Sequence, residues 1–240
     1  MIQNRKKTRT NIAVLIPAYN EAASIARVVS GVLQNRNIAK CVVVDDGSID
    51  HTGVNARKAG AYVLRMSKNS GAGAALRAGL AAIVKSKVDY IITLDADGQH
   101  DPVYIPRLLN GISQNNEFVI ASRYIKQTPN STQYLRRFAT KIISMAIEKA
   151  YSVKVSDPTS GFRIMTKRVA QLLSGAYPTR FSEPEIILLL IKNHIQFSEI
   201  SIPMSPRLYG RSSISFLRGT LMFAYILIKI MKSSLVKVVV

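Results

Sequence analysis

Tyr90-Ile91-Ile92-Thr93-Leu94-Asp95-Ala96-Asp97 is an apolar run of strand length that ends in two carboxylates one residue apart. Residues 90–94 read as a strand because the run is short, apolar and bounded by polar residues. Two carboxylates at its end can share a divalent cation together with that cation's phosphate ligands. Hard oxygen donors suit magnesium or manganese, which take one or two protein carboxylates and keep several waters. An Asp-x-Asp pair is common in surface turns, so its position directly after an apolar strand is what marks this one.

The same arrangement occurs twice upstream. Residues 11–17 form an apolar run ending in Pro17, followed by Tyr19-Asn20-Glu21. Asn20 is read as the cap of a helix over 21–33, whose Ile25, Val28, Val29 and Val32 share one face. A second strand over 41–44 leads into Asp45-Asp46-Gly47-Ser48-Ile49-Asp50, where Gly47 permits a tight turn. A carboxylate here can accept hydrogen bonds from a nucleobase or ribose. Asp50 or Thr52 then opens a short helix. A third strand over 61–66, helices over 73–85 and 101–112 and a fifth strand over 118–121 complete the first half. This order predicts a mostly parallel sheet with helices on both faces and ligands beyond the carboxyl ends of its strands. The three polar clusters fall at those ends and converge.

After residue 122 the alternation weakens. Residues 123–137 are polar and basic, and a helix follows with Phe138, Ile142, Ile143, Met145 and Ile147 on a broad apolar face. Asp157-Pro158 marks a turn, helices are expected over 167–173 and 185–192, and a strand over 198–203. The organisation expected is a basic tail over 1–10, one catalytic domain over 11–212 and a C-terminal membrane-surface segment over 213–240.

Composition narrows the partners. Lys and Arg number 33 against 14 Asp and Glu, a net charge of +19, which suits polyanions: nucleic acid, anionic lipid or phosphorylated substrates. Nucleic acid is not expected, because the acidic clusters repel phosphate unless a metal intervenes. The single cysteine, Cys41, excludes an internal disulfide and reads as a buried strand thiol; the three histidines lack metal-ligand spacing. Residues 1–10 are basic but have no signal-peptide core behind them. Gly71-Ala72-Gly73-Ala74-Ala75-Leu76 half matches a dinucleotide fingerprint, but it follows the third strand and reads as close helix–strand packing. A nicotinamide cofactor is dismissed on that ground.

Three segments together carry a family resemblance: Val14-Leu15-Ile16-Pro17-Ala18-Tyr19-Asn20-Glu21, Val44-Asp45-Asp46-Gly47-Ser48 and Asp95-Ala96-Asp97-Gly98-Gln99. Their order and spacing over 11–125 resemble family 2 inverting glycosyltransferases of the GT-A fold. Ser122-Arg123-Tyr124 and Asp157-Pro158-Thr159-Ser160-Gly161-Phe162-Arg163 extend the resemblance, over about 11–215, to the branch acting on polyprenyl phosphates such as dolichyl or undecaprenyl phosphate.

The resemblance implies a nucleoside-diphosphate sugar donor, a polyprenyl-phosphate acceptor and Mg2+ or Mn2+. It places Pro17, Ala18, Glu21 and Asp46 around the nucleoside, with Asp45 close by. Asp95 and Asp97 would hold diphosphate and metal, with Gln99 near the sugar. Arg123 and Arg163 would meet acceptor phosphate or donor diphosphate. Asp157 is the carboxylate for acceptor binding or general base, or for positioning alone, and Glu185 is its rival. The relatives often carry Lys where this chain has Ala72; Lys68 or Arg77 is a substitute charge. A saccharide hydroxyl acceptor is the alternative and needs a true base, while a basic membrane- or nucleic-acid-binding protein without catalysis is the alternative from another class.

At the C-terminus, Arg207, Arg211 and Arg218 precede an apolar stretch over 221–231 broken by Lys229. Its uncharged part is too short for a span of about 20 residues. It reads as an interfacial helix with snorkelling lysines on an anionic membrane, or as a helix packed on the domain, a membrane subunit or a second copy. The protein is expected on the cytoplasmic face of a membrane.

Overall fold

A computed structural model describes residues 10–113, 115–125, 134–179, 182–205 and 223–230. Arg207, Arg211 and Arg218 lie outside the described residues.

Seven strands form one sheet: β1 (Ile12–Ala18), β2 (Ile38–Asp45), β3 (Tyr62–Arg65), β4 (Tyr90–Thr93), β5 (Phe118–Ser122), β6 (Arg163–Thr166) and β7 (Phe197–Ser201), in the spatial order β3-β2-β1-β4-β6-β5-β7. Every neighbouring pair is parallel except the two that involve β6, which runs against β4 and β5. The alternating βα pattern of the first half therefore folds as read. The reversed strand β6 is the addition that the sequence reading missed.

The helices are α1 (Ile25–Leu33), α2 (Thr52–Lys58), α3 (Ala72–Ile83), α4 (Ile105–Asn110), α5 (Tyr134–Tyr151), α6 (Lys167–Ala176) and α7 (Ser182–Lys192). Period-two alternation along each strand divides the core into two layers. Ile12, Val14 and Ile16 of β1 face one way and bury Ile25, Val29 and Val32 of α1 and Leu108 of α4. Ala13 and Leu15 face the other way, toward Leu80 of α3, Ile143 and Ile147 of α5, Leu173 of α6 and Ile187 of α7. Each fully buried aliphatic side chain of this kind contributes about 1.5–3 kcal/mol. Helix α3 packs closely on the sheet: Gly73, Ala75 and Leu76 are buried, and at Gly79 a Cβ would lie 2.3 Å from Leu15 Cδ1.

Some boundaries differ from the sequence reading for identifiable reasons. Asn20 does not cap α1: its φ is 55°, its side chain accepts the Ile49 amide at 3.0 Å, and the helix begins only at Ile25. The expected helix over 101–112 begins as a single 3-10 turn, Pro102–Tyr104, whose first amide is capped by Asp101. On α5 the apolar face splits. Ile143 and Ile147 are buried, whereas Phe138 and Met145 are 64% and 58% exposed.

Residues 223–230 are helical, and they pack on the domain: Ile226 and Ile230 join the layer that holds α5 and α7. Lys229 forms an ion pair with Glu185 of α7. The described part of the C-terminal segment is thus attached to the catalytic domain. Among the described residues, no helix is long and apolar enough to cross a membrane.

Candidate active site

The carboxyl ends of β1, β2, β4, β5 and β7 lie along one edge of the sheet, and the reversed β6 begins there. The three polar clusters meet on this edge. Asp46 and Asp97 follow β2 and β4, with only β1 between those strands, a gap of roughly 10 Å from strand spacing.

The first two clusters are stitched together. The Glu21 amide donates to Thr52 Oγ1 at 2.7 Å, the Ala22 amide to Asp50 Oδ2 at 3.1 Å, and the Asn20 amide to Ser48 Oγ at 3.0 Å. Pro17 and Ala18 pair with Val44 and Asp45, which places them directly beside the second cluster. Gly47 turns the chain at φ 73°, and a Cβ there would strike the backbone of Lys68 at 2.6 Å. That contact explains why the tight turn needs glycine.

Asp45 and Asp46 have different surroundings. Asp45 is wholly buried; its Oδ1 accepts the Ser48 amide at 2.9 Å, and its Oδ2 has no hydrogen-bond donor among the described residues, with Arg65 3.8 Å away. Asp45 holds the turn from within. Asp46 accepts the amides of Ser70 at 2.9 Å and Gly71 at 2.7 Å, and so fastens the loop that enters α3.

At the end of β4, Asp95 is 48% exposed at its side chain and Asp97 is nearly buried. Asp97 Oδ1 accepts the Gln99 amide at 3.0 Å. Gly161 comes so close that a Cβ would lie 2.8 Å from Asp95 Oδ1, so the loop before β6 cradles this carboxylate. Among the described residues no three His, Cys, Asp or Glu side chains cluster as a metal site. The donor set is thus two hard carboxylates at most, which fits Mg2+ or Mn2+ completed by diphosphate and water. Gln99 is fixed from the other side, where its carbonyl accepts the Ser205 amide at 3.0 Å.

His100 was passed over because its spacing suggests no metal site. The structure buries it, stacked on Phe162 at 5.2 Å, with Nδ1 accepting the Asp95 amide at 3.0 Å. Burial is the main cause that holds its pKa below the usual imidazole value. The ring is therefore neutral with its proton on Nε2, a brace for the Asp95 backbone.

On the other half of the edge, Arg123 and Asp157 form a bidentate pair. Arg123 Nε donates to Oδ2 and Nη2 to Oδ1, both at 2.6 Å; the Arg123 amide adds a bond at 3.1 Å and Thr159 Oγ1 another at 3.1 Å. Burial acts to raise the Asp157 pKa, but the hydrogen bonds and charge of Arg123 outweigh it and hold the carboxylate below its ordinary value. The same pairing overcomes the desolvation of Arg123 and raises its pKa. The pair holds the Asp157 carboxylate charged and fixed against Arg123, an arrangement suited to positioning that guanidinium. Glu185, its rival, is buried and held by Lys229.

Arg163 is set deeper than Arg123. It lies on β6 with 1% exposure, its Nη2 donates to the carbonyls of Glu183 at 3.1 Å and Pro158 at 3.3 Å, and its guanidinium stacks over Phe118. It braces the loop before β6 and α7 from inside, and its buried Nε has no hydrogen-bond partner among the described residues. A second cation comes from α5: Arg137 and Arg123 both lie over the Tyr124 ring, at 5.7 and 5.2 Å. Sequence reading missed Arg137 because the pattern of 123–137 has no period.

A mostly parallel sheet with one reversed strand, and an Asp-x-Asp pair at the end of a central strand, is the GT-A arrangement of glycosyltransferases. The sequence profile described as glycosyl transferase family 2 matches residues 13–173, and the chain belongs to that family. Glycosyltransferase AglJ of Haloferax volcanii is 31% identical over 156 residues, covering 65% of this chain and 50% of its own length. Dolichol-phosphate mannosyltransferase of Pyrococcus furiosus is 28% identical over 228 residues, covering 90% of this chain and 61% of its own. The chain thus spans between half and about three fifths of these two relatives. Among solved structures, glucosyl-3-phosphoglycerate synthase of Mycobacterium tuberculosis with Mn2+, UDP and phosphoglyceric acid superposes with a TM-score of 0.71. It is 20% identical and covers 95% of this chain and 78% of its own, a likeness of fold.

Proposed function

We propose that this glycosyltransferase moves a sugar from a nucleoside-diphosphate sugar to a polyprenyl phosphate, with inversion at the anomeric carbon, on the cytoplasmic face of a membrane. The observation that carries the reading is the Arg123–Asp157 pair standing on the same sheet edge as Asp95 and Asp97. The edge offers an acidic end for a cation-bound diphosphate and a basic end for a second phosphate. The Pyrococcus furiosus relative, named for dolichol phosphate, supports the acceptor. The Mn2+ and UDP in the Mycobacterium tuberculosis structure support the donor and the metal.

In this reading Pro17, Ala18, Glu21 and Asp46 surround the nucleoside, and Asp95 and Asp97 hold Mg2+ or Mn2+. The bound ion supplies charge neutralisation for the departing diphosphate. Gln99, fixed through Ser205, lies beside the sugar, and His100 keeps the Asp95 backbone in place. Arg123 is the acceptor-phosphate cation, with Arg137 beside it across Tyr124. An acceptor phosphate oxygen already carries charge and attacks without losing a proton. The state of the two candidate bases agrees, since Asp157 is held by Arg123 and Glu185 by Lys229. That favours a phosphate acceptor over a saccharide hydroxyl, which needs a free base.

A membrane-surface location is supported by the net charge of +19 and by the exposed Phe138 and Met145, seven residues apart on one stripe of α5 beside Lys141 and Lys149. The test is to incubate the protein with a panel of nucleotide-sugars, Mn2+ and either polyprenyl phosphate or polyprenol, then weigh the products. A glycolipid formed from the phosphate alone is the expected result. Transfer only to saccharide hydroxyls rejects the acceptor.

A further inference from the structure

Asp157 lies in irregular chain between α5 and β6, with no ladder of its own to hold it. Its backbone is instead fastened from β7. Glu199 Oε1 accepts the Asp157 amide at 2.8 Å and Oε2 accepts the Ser156 amide at 2.6 Å. Ser156 is also tied to the end of β5, where its Oγ lies 2.8 Å from Ser122 Oγ. β5 and β7 are paired in register, Ile120 opposite Glu199 and Ser122 opposite Ser201, so the frame is anchored in the sheet on both sides. The arrangement has a cost: Glu199 is largely desolvated and sits beside a second carboxylate, and both effects raise its pKa. A neutral side chain would avoid that cost, but only a carboxylate accepts two adjacent amides at once with full charge.

We infer that Glu199 is a positioning residue: by fixing the Ser156–Asp157 backbone it aims the Asp157 carboxylate at Arg123, and through that pair sets the guanidinium that receives the acceptor phosphate. The inference rests on the acceptor role proposed for Arg123. Nothing in the sequence pattern marks Glu199, because its partners lie 42 and 43 residues away.

The test combines Glu199→Ala, Glu199→Gln and Arg123→Ala, alone and in pairs. The probes are farnesyl phosphate for the acceptor and whichever of UDP or GDP binds the wild type better for the donor. Glu199→Ala is expected to weaken farnesyl phosphate binding by about 10- to 100-fold, the scale of a small misplacement at a binding group, and to leave nucleotide binding within about twofold. Glu199→Gln, which keeps one acceptor of two, falls between and covers the case in which the alanine variant fails to fold. In the Arg123→Ala background the loss on farnesyl phosphate should vanish while any loss of Tm remains, the non-additivity expected of residues acting through one group.

A second readout does not depend on what Arg123 binds. The Arg123 Nε–H proton should be slow to exchange in the wild type and fast in both Glu199 variants. Unchanged exchange, or a loss on farnesyl phosphate that adds in full to that of Arg123→Ala, overturns the inference and leaves Glu199 a structural residue. If exchange accelerates as expected but Arg123→Ala binds farnesyl phosphate normally, positioning of Arg123 stands and its acceptor role fails.

Discussion

The guanidinium of Arg123 grips Asp157 at both carboxylate oxygens while the Arg123 amide bonds the same side chain, so one aspartate fixes the backbone and the charge of one arginine. Replacing Asp157 by Asn leaves a mostly buried guanidinium without its counter-charge, a loss of about 3–5 kcal/mol for a buried pair broken on one side. Asp157→Asn is expected to lower Tm and to raise KM for the acceptor, with the pH–rate profile unchanged in shape. Loss of the acidic limb of that profile would restore the general-base role.

The pH dependence of stability follows from the same pair. Asp157 titrates below its unfolded value, so its contribution is fully present above the ordinary carboxylate pKa of about 3.9 and is lost as pH falls through the depressed folded value. The Tm difference between wild type and Asp157→Asn should stay constant from about pH 7 to pH 5 and shrink only below about pH 4. Thermal melts across that range decide it; a difference already shrinking at pH 6 contradicts the assignment.

Asp97→Asn is expected to abolish sugar transfer and to leave the circular dichroism spectrum and Tm close to wild type. Mn2+ titration in the presence of UDP, followed by calorimetry, should show binding to the wild type and at least about a tenfold weaker response in the variant, equal to about 1.4 kcal/mol. Full transfer in the variant with a chelator present would remove the metal from the reaction.

Asp46→Ala frees the Ser70 and Gly71 amides, each held by a charge-assisted bond worth about 1.5–3 kcal/mol. The expected outcomes are faster hydrogen exchange at those two amides, a lower Tm and weaker nucleotide binding. Slow exchange at Ser70 and Gly71 in the variant would show that the loop is held by other groups.

Burial in the sheet pushes the Cys41 thiol up to about 12. At pH 8 it is almost entirely protonated, so a disulfide reagent should leave the folded protein unmodified and react fully once denaturant unfolds it. Rapid modification under native conditions would mean that β2 opens locally.

The first half of the fold was legible because each strand is a short apolar run closed by a polar cluster, and each intervening helix shows a single apolar face, as Ile25, Val28, Val29 and Val32 do. The parallel order then placed Asp46 and Asp97 on one edge without further information. β6 was missed for the opposite reason: Arg163-Ile164-Met165-Thr166 is only four residues long and opens with a charge, and its strand character comes from pairing on both sides with β4 and β5. The burial of Arg163 was hidden with it, since an arginine bonded through Nη2 to the carbonyls of Pro158 and Glu183 looks in sequence like any exposed basic residue. On α5, Phe138 and Ile143 are equally apolar on paper, and only the position of the sheet decides which is covered.

Because β6 runs against its neighbours, the loop that enters it arrives where the loops leaving β4 and β5 depart. Gly161 therefore touches Asp95 while Asp157, four residues earlier, holds Arg123. One short connection thus ties the carboxylate at the end of β4 to the cation that follows β5. On the reading proposed above, the length of that connection sets how far the delivered sugar lies from the cation that receives the acceptor.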